Sequence, residues 1–291
     1  MALYTDDTIH RVIEAVNQEY FLPDIQRSFV WKQDQIYALF DSIMRGYPIS
    51  TFLFWEVQKD YLEEQNIKRF KFILSNKEEN SQELTYSDHR DYYLVLDGQQ
   101  RITALFMALK GHYVERRKIK ELFINIESGK EENDDGLLYD FKFFDKDKES
   151  FFRDGDGLWV NVKRVYECRN NEEKLILRKE VKKFSDDELS VETNIDRLHG
   201  RLRGEEIINY YTEREKDYDK VLDIFVRTNS GGTKLTYSDL LFSTIKLRWN
   251  DARYNFKNLI NDLNGEAFDF DTDFILKTCF VLFAKSQKDI K

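Results

Sequence analysis

Apolar residues recur at helical spacing in some stretches of the chain and run together in short blocks in others, which predicts a mixed α and β fold. Ile9, Val12, Ile13 and Val16 form the stripe of a first helix starting near Thr8. Ile36, Leu39, Phe40 and Ile43 repeat the pattern over 32–45, and Gly46 supplies a stop. The blocks at 51–57, 69–74 and 92–96 read as buried strands. The last of these leads into a polar elbow, after which Ile102, Leu105, Phe106 and Leu109 return to helical spacing. Segments 121–126 and 138–144 predict a strand pair across the acidic loop 128–136.

From 145 to 220 the pattern is less regular. Charge runs alternate with Leu158-Trp159-Val160 and Leu175-Ile176-Leu177, and a helix is expected over 198–211. Residues 126–219 are therefore expected to elaborate a core that lies mainly in 1–125 and is completed by 220–245. Thr236-Tyr237-Ser238-Asp239 has the spacing of a capping box opening a helix to about Leu247, and further helices are expected near 252–263 and 272–284. The expected class is α+β. A mixed β-sheet core with flanking helices occupies 1–245, and a helical extension occupies 246–291.

Composition narrows the functional classes. With 291 residues, 41% apolar, 12 glycines and 2 prolines, the chain suits one large fold or two unequal domains and excludes collagen-like or proline-rich architectures. A net charge of −9 argues against a broad DNA-coating surface and leaves room for a local basic cleft. Cys168 and Cys279 are far apart, and His10, His89, His112 and His199 form no cluster, so no zinc site is expected and reduced thiols fit a cytoplasmic protein. The N-terminus lacks signal-peptide character, and no run approaches the roughly 20 apolar residues of a membrane span.

Three polar loops carry the chemistry. In Asp97-Gly98-Gln99-Gln100-Arg101, a carboxylate can hold Mg²⁺ or orient water, a guanidinium can clamp phosphate, and Gly98 with the helix start can receive an anion. The same residues suit plain capping, with Asp97 as N-cap and Gln100 at the third helical position. Gln26-Arg27 is a second site candidate, or a surface arginine packed over an aromatic ring. Arg227, Asn229, Gly231 and Gly232 are a third, as an anion-binding nest or a glycine turn. No phosphate loop of the G-x-x-x-x-G-K-[ST] type, no EF-hand with glycine at its sixth position and no G-x-S-x-G elbow is present.

Taken in order, these loops resemble a family. Pro23-Asp24-Ile25-Gln26-Arg27 with Phe29 and Trp31, then Gly46-Tyr47-Pro48, Leu94 to Thr103 around the Asp-Gly-Gln-Gln-Arg motif, and Ile224 to Gly232 with Leu235 and Asp239 are similar to ParB/sulfiredoxin-like domains carrying that motif. These include the N-terminal half of GmrSD modification-dependent restriction enzymes and the SspE proteins. The resemblance covers 20–110 and 220–245. It implies a ParB-like core and a nucleoside triphosphate-binding, Mg²⁺-dependent hydrolase that regulates prokaryotic defence against modified or foreign DNA. On that reading Asp97, Gln100, Arg101, Gln26 and Arg27 are catalytic, with Asp97 the metal ligand. Gly98, Gln99, Arg227, Asn229, Gly231 and Gly232 hold the nucleotide, and Asp97, Gln100, Arg101, Gln26, Arg27, Arg227 and Asn229 are expected to line one cleft. A His-Asn-His nuclease, C-terminal or separate, is an implied partner, since no such motif lies in this chain; self-association is compatible. The alternatives are a non-catalytic DNA- or partner-binding module and a DNA-nicking domain.

Overall fold

The computed structural model describes residues 4–24, 28–64, 67–81 and 92–228, and beyond them 241–242, 245, 249, 251–264 and 268–283. The chain divides into two compact units, Met1–Leu22 with Ser28–Arg214, and Pro23–Arg27 with Glu215–Lys291. The architecture is α+β.

In the larger unit, a six-stranded mixed sheet is built from β1 (Tyr4–Asp7), β2 (Tyr20–Pro23), β3 (Phe52–Val57), β4 (Arg69–Phe70), β5 (Tyr92–Asp97) and β11 (Ile208–Glu213), in the order β1-β11-β3-β5-β2-β4. Strand β3 runs antiparallel to β5 and parallel to β11, while β5 runs parallel to β2. A second, antiparallel sheet contains β6 (Tyr113–Glu115), β7 (Lys118–Asn125), β8 (Phe141–Asp145), β9 (Phe151–Arg153) and β10 (Leu158–Asn161). One apolar core joins both sheets, with Phe54 and Val95 from the first and Ile124 and Phe141 from the second in the same cluster.

The helices follow their sequence signals. Thr8 caps α1 (Ile9–Ala15) by accepting from the Arg11 N–H, and Ile9, Val12 and Ile13 are buried as their spacing requires. Helix α2 (Gln33–Arg45) buries Ile36, Leu39, Phe40 and Ile43 and ends on Gly46 in the left-handed conformation, φ 76°. The buried Asp41 of α2 accepts from the backbone N–H groups of Leu138 and Tyr139 and pairs with Arg45 at 2.9 Å, which ties α2 to the segment entering β8. Helix α3 (Lys59–Glu64) follows β3, and α4 (Gln99–Leu109) follows β5. Helices α5 (Val162–Tyr166), α6 (Asn171–Lys182) and α7 (Glu188–His199) complete this unit. The smaller unit holds α8 (Tyr218–Thr228), α9 (Ala252–Asn264) and α10 (Thr272–Phe283), the last two as expected.

Two local readings change. The helix expected over 198–211 stops at His199, passes through a π-helical turn at Gly200–Gly204 and becomes β11. Sheet pairing overrides helical periodicity there: Tyr210 lies in register with Phe52 and stacks on Phe54, ring centroids 4.7 Å apart. The first sheet thus gains a strand from within 126–219. Similarly, the strand expected over 69–74 narrows to Arg69–Phe70. The capping box at 236–239 lies outside the described residues.

Candidate functional site

The elbow forms where β5 meets α4. Asp97 ends the strand, and Gly98 turns the chain with φ 89° and becomes the helix N-cap. Glycine is required twice over. A side chain there would sit in the left-handed region, and its Cβ would lie 2.7 Å from Cε1 of Phe52 and closer still to Cδ1. The capping alternative in which Asp97 caps the helix and Gln100 closes a box does not form, because Gly98 takes the cap position and offers no side-chain hydrogen bond. The start of α4 therefore presents its first-turn backbone without a side-chain cap, the arrangement that suits an anion.

Each side chain of the motif has a distinct task. Gln100 is buried: its Oε1 accepts from the Val30 N–H at 2.9 Å, and its Nε2 donates to the Ser28 carbonyl at 3.2 Å. It thereby tethers the segment that directly follows Gln26-Arg27 in the chain. Arg101 donates from Nη1 to the Ile49 carbonyl at 2.5 Å and from Nη2 to the Thr51 carbonyl at 3.2 Å. Its Nη2 also meets Asp97 Oδ2 at 3.3 Å, and the guanidinium lies 4.4 Å from the centroid of the Phe52 ring. Between the two accepted carbonyls, Ser50 has a positive φ of 70°, so Arg101 holds a loop in a conformation that a serine rarely adopts. The Arg101 side chain is 14% exposed and Asp97 is 34% exposed. Burial lowers the pKa of the guanidinium, and the neighbouring Asp97 carboxylate opposes that shift.

Three segments distant in sequence, 28–30, 49–52 and 97–101, thus meet at one junction. Asp97, Gln100 and Arg101 are there, with Gly98 and the buried Gln99. The Ile49 and Thr51 carbonyls have no signal in local spacing that tells which arginine will bind them. Gln26, Arg27, Asn229, Gly231 and Gly232 lie outside the described residues. Arg227, on α8 in the smaller unit, is exposed and pairs with Asp223 at 2.9 Å one turn earlier. Among the described residues no group of three or more His, Cys, Asp or Glu side chains could hold a metal ion, and no helix is long and apolar enough to cross a membrane.

This is an α+β domain with a polar strand-to-helix junction at the edge of its core. Residues 9–246 match the family described as "GmrSD restriction endonuclease, N-terminal domain", and the chain belongs to that family. It is also 35% identical over 105 residues to uncharacterized protein MJ0686 of Methanocaldococcus jannaschii, a match covering 36% of this chain and 17% of that protein.

Proposed function

We propose that this domain binds a nucleoside triphosphate with Mg²⁺ at the β5–α4 elbow and hydrolyses it, as the regulatory part of a restriction-type DNA-defence system with a ParB/sulfiredoxin-like core. The observation that carries the reading is the start of α4, which has no side-chain cap and stands beside the Asp97 carboxylate and the Arg101 guanidinium. Mg²⁺ in phosphoryl-transfer sites needs one or two carboxylates, with phosphate and water filling the remaining positions. Asp97, one-third exposed at the strand end, fits that requirement. Bound there, the ion would neutralise charge on the phosphoryl oxygens.

The chain's own groups divide the remaining work. Backbone N–H groups opening α4 receive a phosphoryl oxygen, and the left-handed turn at Gly98 sets that helix start beside Asp97. Gln100 positions the 28–30 segment through both ends of its amide, and its remaining donor and acceptor are proposed to orient the attacking water. Arg101 positions the 49–51 loop and adds positive potential without leaving its carbonyl partners. DNA cutting is assigned to a nuclease partner or domain.

The test measures phosphate release by the purified chain with each of the four ribonucleoside triphosphates and Mg²⁺. Modified and unmodified duplex DNA are added in parallel, for wild type and Asp97→Ala. Turnover abolished by Asp97→Ala, without DNA cleavage, is expected. DNA binding with no nucleotide binding and no turnover in any condition would instead identify a non-catalytic recognition module.

A further inference from the structure

A polar concavity lies in the larger unit, lined by none of the motif residues. It has a volume of about 330 Å³ and is lined by Met44, Arg45, Tyr47, Leu138, Tyr139, Arg197 and Arg201. That volume is at the lower end of the range for small-molecule sites. Three arginines on one small cleft is an unusual concentration for a chain of net charge −9.

The three are not equivalent. Arg45 pairs with Asp41 through Nε and with Glu132 through Nη1, each at 2.9 Å, and donates from Nη2 to the Gly136 carbonyl at 3.0 Å. Arg201 pairs with Glu205 through Nη1, but its buried Nε has no hydrogen-bond partner among the described residues. Arg197 has no carboxylate partner among the described residues; it donates to the Tyr139 hydroxyl and lies 5.7 Å from the centre of that ring. Gly46 lets the Arg201 guanidinium press against the backbone at the end of α2, where any Cβ would collide with it. Arg197, with no carboxylate within ion-pair distance among the described residues, and the partly exposed guanidinium of Arg201 offer donors suited to an anion with several acceptor oxygens. Around them Met44 and Leu138 are apolar, and Tyr47 is 55% exposed, with the Arg45 guanidinium 5.5 Å from the centre of its ring and the rest of the ring open to a planar group.

We propose that this cleft binds a small phosphorylated ligand of mononucleotide size, with its phosphate on Arg197 and Arg201 and its planar group against Tyr47. None of the residues lining this cleft belongs to the Asp97–Arg101 motif, and the proposal does not rest on the elbow's function.

Arginine footprinting of the whole wild-type chain tests this without altering the fold. Phenylglyoxal modification is followed residue by residue through peptide masses, in the presence of inorganic phosphate, adenosine monophosphate or a short DNA duplex. The expected result is selective slowing at Arg197 and Arg201 by phosphate and, at lower concentration, by the mononucleotide. Calorimetric titration with the mononucleotide should then show Arg197→Gln losing about tenfold or more in affinity, the equivalent of one charge-assisted hydrogen bond, while Arg11→Gln, at an exposed arginine that does not line the cleft, binds as wild type. Unchanged modification of both arginines with phosphate and mononucleotide would overturn the proposal. So would slowing by duplex DNA alone, which would make the cleft a nucleic-acid backbone contact, and so would uniform slowing of every arginine.

Discussion

Replacing Gly98 by alanine tests the geometry of the elbow with the smallest chemical change. Two penalties are built into the site. Holding a non-glycine residue at φ 89° costs about 1–2 kcal/mol. Forcing a methyl group to within 2.7 Å of Phe52 Cε1 adds a further 1–3 kcal/mol or so of overpacking. The expected loss is therefore about 2–5 kcal/mol, a large part of the roughly 5–15 kcal/mol that holds a domain folded. A double-mutant cycle separates the two terms. Phe52→Val removes Cδ1 and Cε1, and it costs less by itself than the roughly 3–5 kcal/mol of full truncation to alanine. In the Phe52→Val background, Gly98→Ala retains its dihedral cost but loses its collision, so the double variant should be about 1–3 kcal/mol more stable than the sum of the singles predicts. Urea unfolding followed by tryptophan fluorescence reads this well, because Trp55 is buried on the same strand as Phe52. Additivity within about 0.5 kcal/mol would refute the steric argument. A neutral Gly98→Ala would refute both terms.

Other consequences follow from the same contacts. Gln100→Glu keeps the acceptor for the Val30 N–H but turns an acceptor toward the Ser28 carbonyl, so it should cost about 2–3 kcal/mol at pH 7 and less at pH 4, where a protonated carboxyl can donate again. A loss equal at both pH values in urea unfolding would contradict that account. Arg101→Lys cannot span the Ile49 and Thr51 carbonyls with one ammonium group and should cost about 1–3 kcal/mol, seen as a lower urea midpoint. His10 accepts at Nε2 from Arg203 and donates from Nδ1 to the Tyr166 hydroxyl, which in turn donates to Glu14. Burial, followed by Arg203, lowers its pKa below the ordinary 6.5, so the unfolded chain takes up the proton first. This contribution is intact above 6.5 and is lost as pH falls through 6.5 toward the lower folded value; His199, lowered mainly by burial, acts in the same direction. Thermal unfolding from pH 7.5 to 5 should show the decline, and His10→Gln should flatten part of it; an unchanged slope would rule His10 out.

Much of this fold is legible in sequence because its signals are local. The stripe Ile9, Val12 and Ile13, the stop at Gly46 and the block from Tyr92 into the elbow each act within a few residues, and each element forms as expected. Strand β11 escaped because its stabilisation comes from pairing with β3, more than 150 positions earlier, and not from its own spacing. The motif was legible as chemistry, whereas its division of labour was not. Asp97 and Gln100 fit a capping box by spacing alone, yet the Cβ-less Gly98 takes the cap and Gln100 turns to Ser28 and Val30. The role of Arg101 depends on the loop at Ile49 and Thr51, a partner fixed by the sheet and invisible to local pattern.

The central claim is that a nucleotide phosphate rests on the start of α4. Hydrogen–deuterium exchange of the intact chain, read by mass spectrometry on peptides spanning 96–103, addresses it directly. Addition of a nucleoside triphosphate with Mg²⁺ should slow exchange at the amides of Gln99, Gln100 and Arg101, and Asp97→Ala should remove that protection. A nucleotide that binds the chain while exchange across 96–103 stays unchanged would contradict the account.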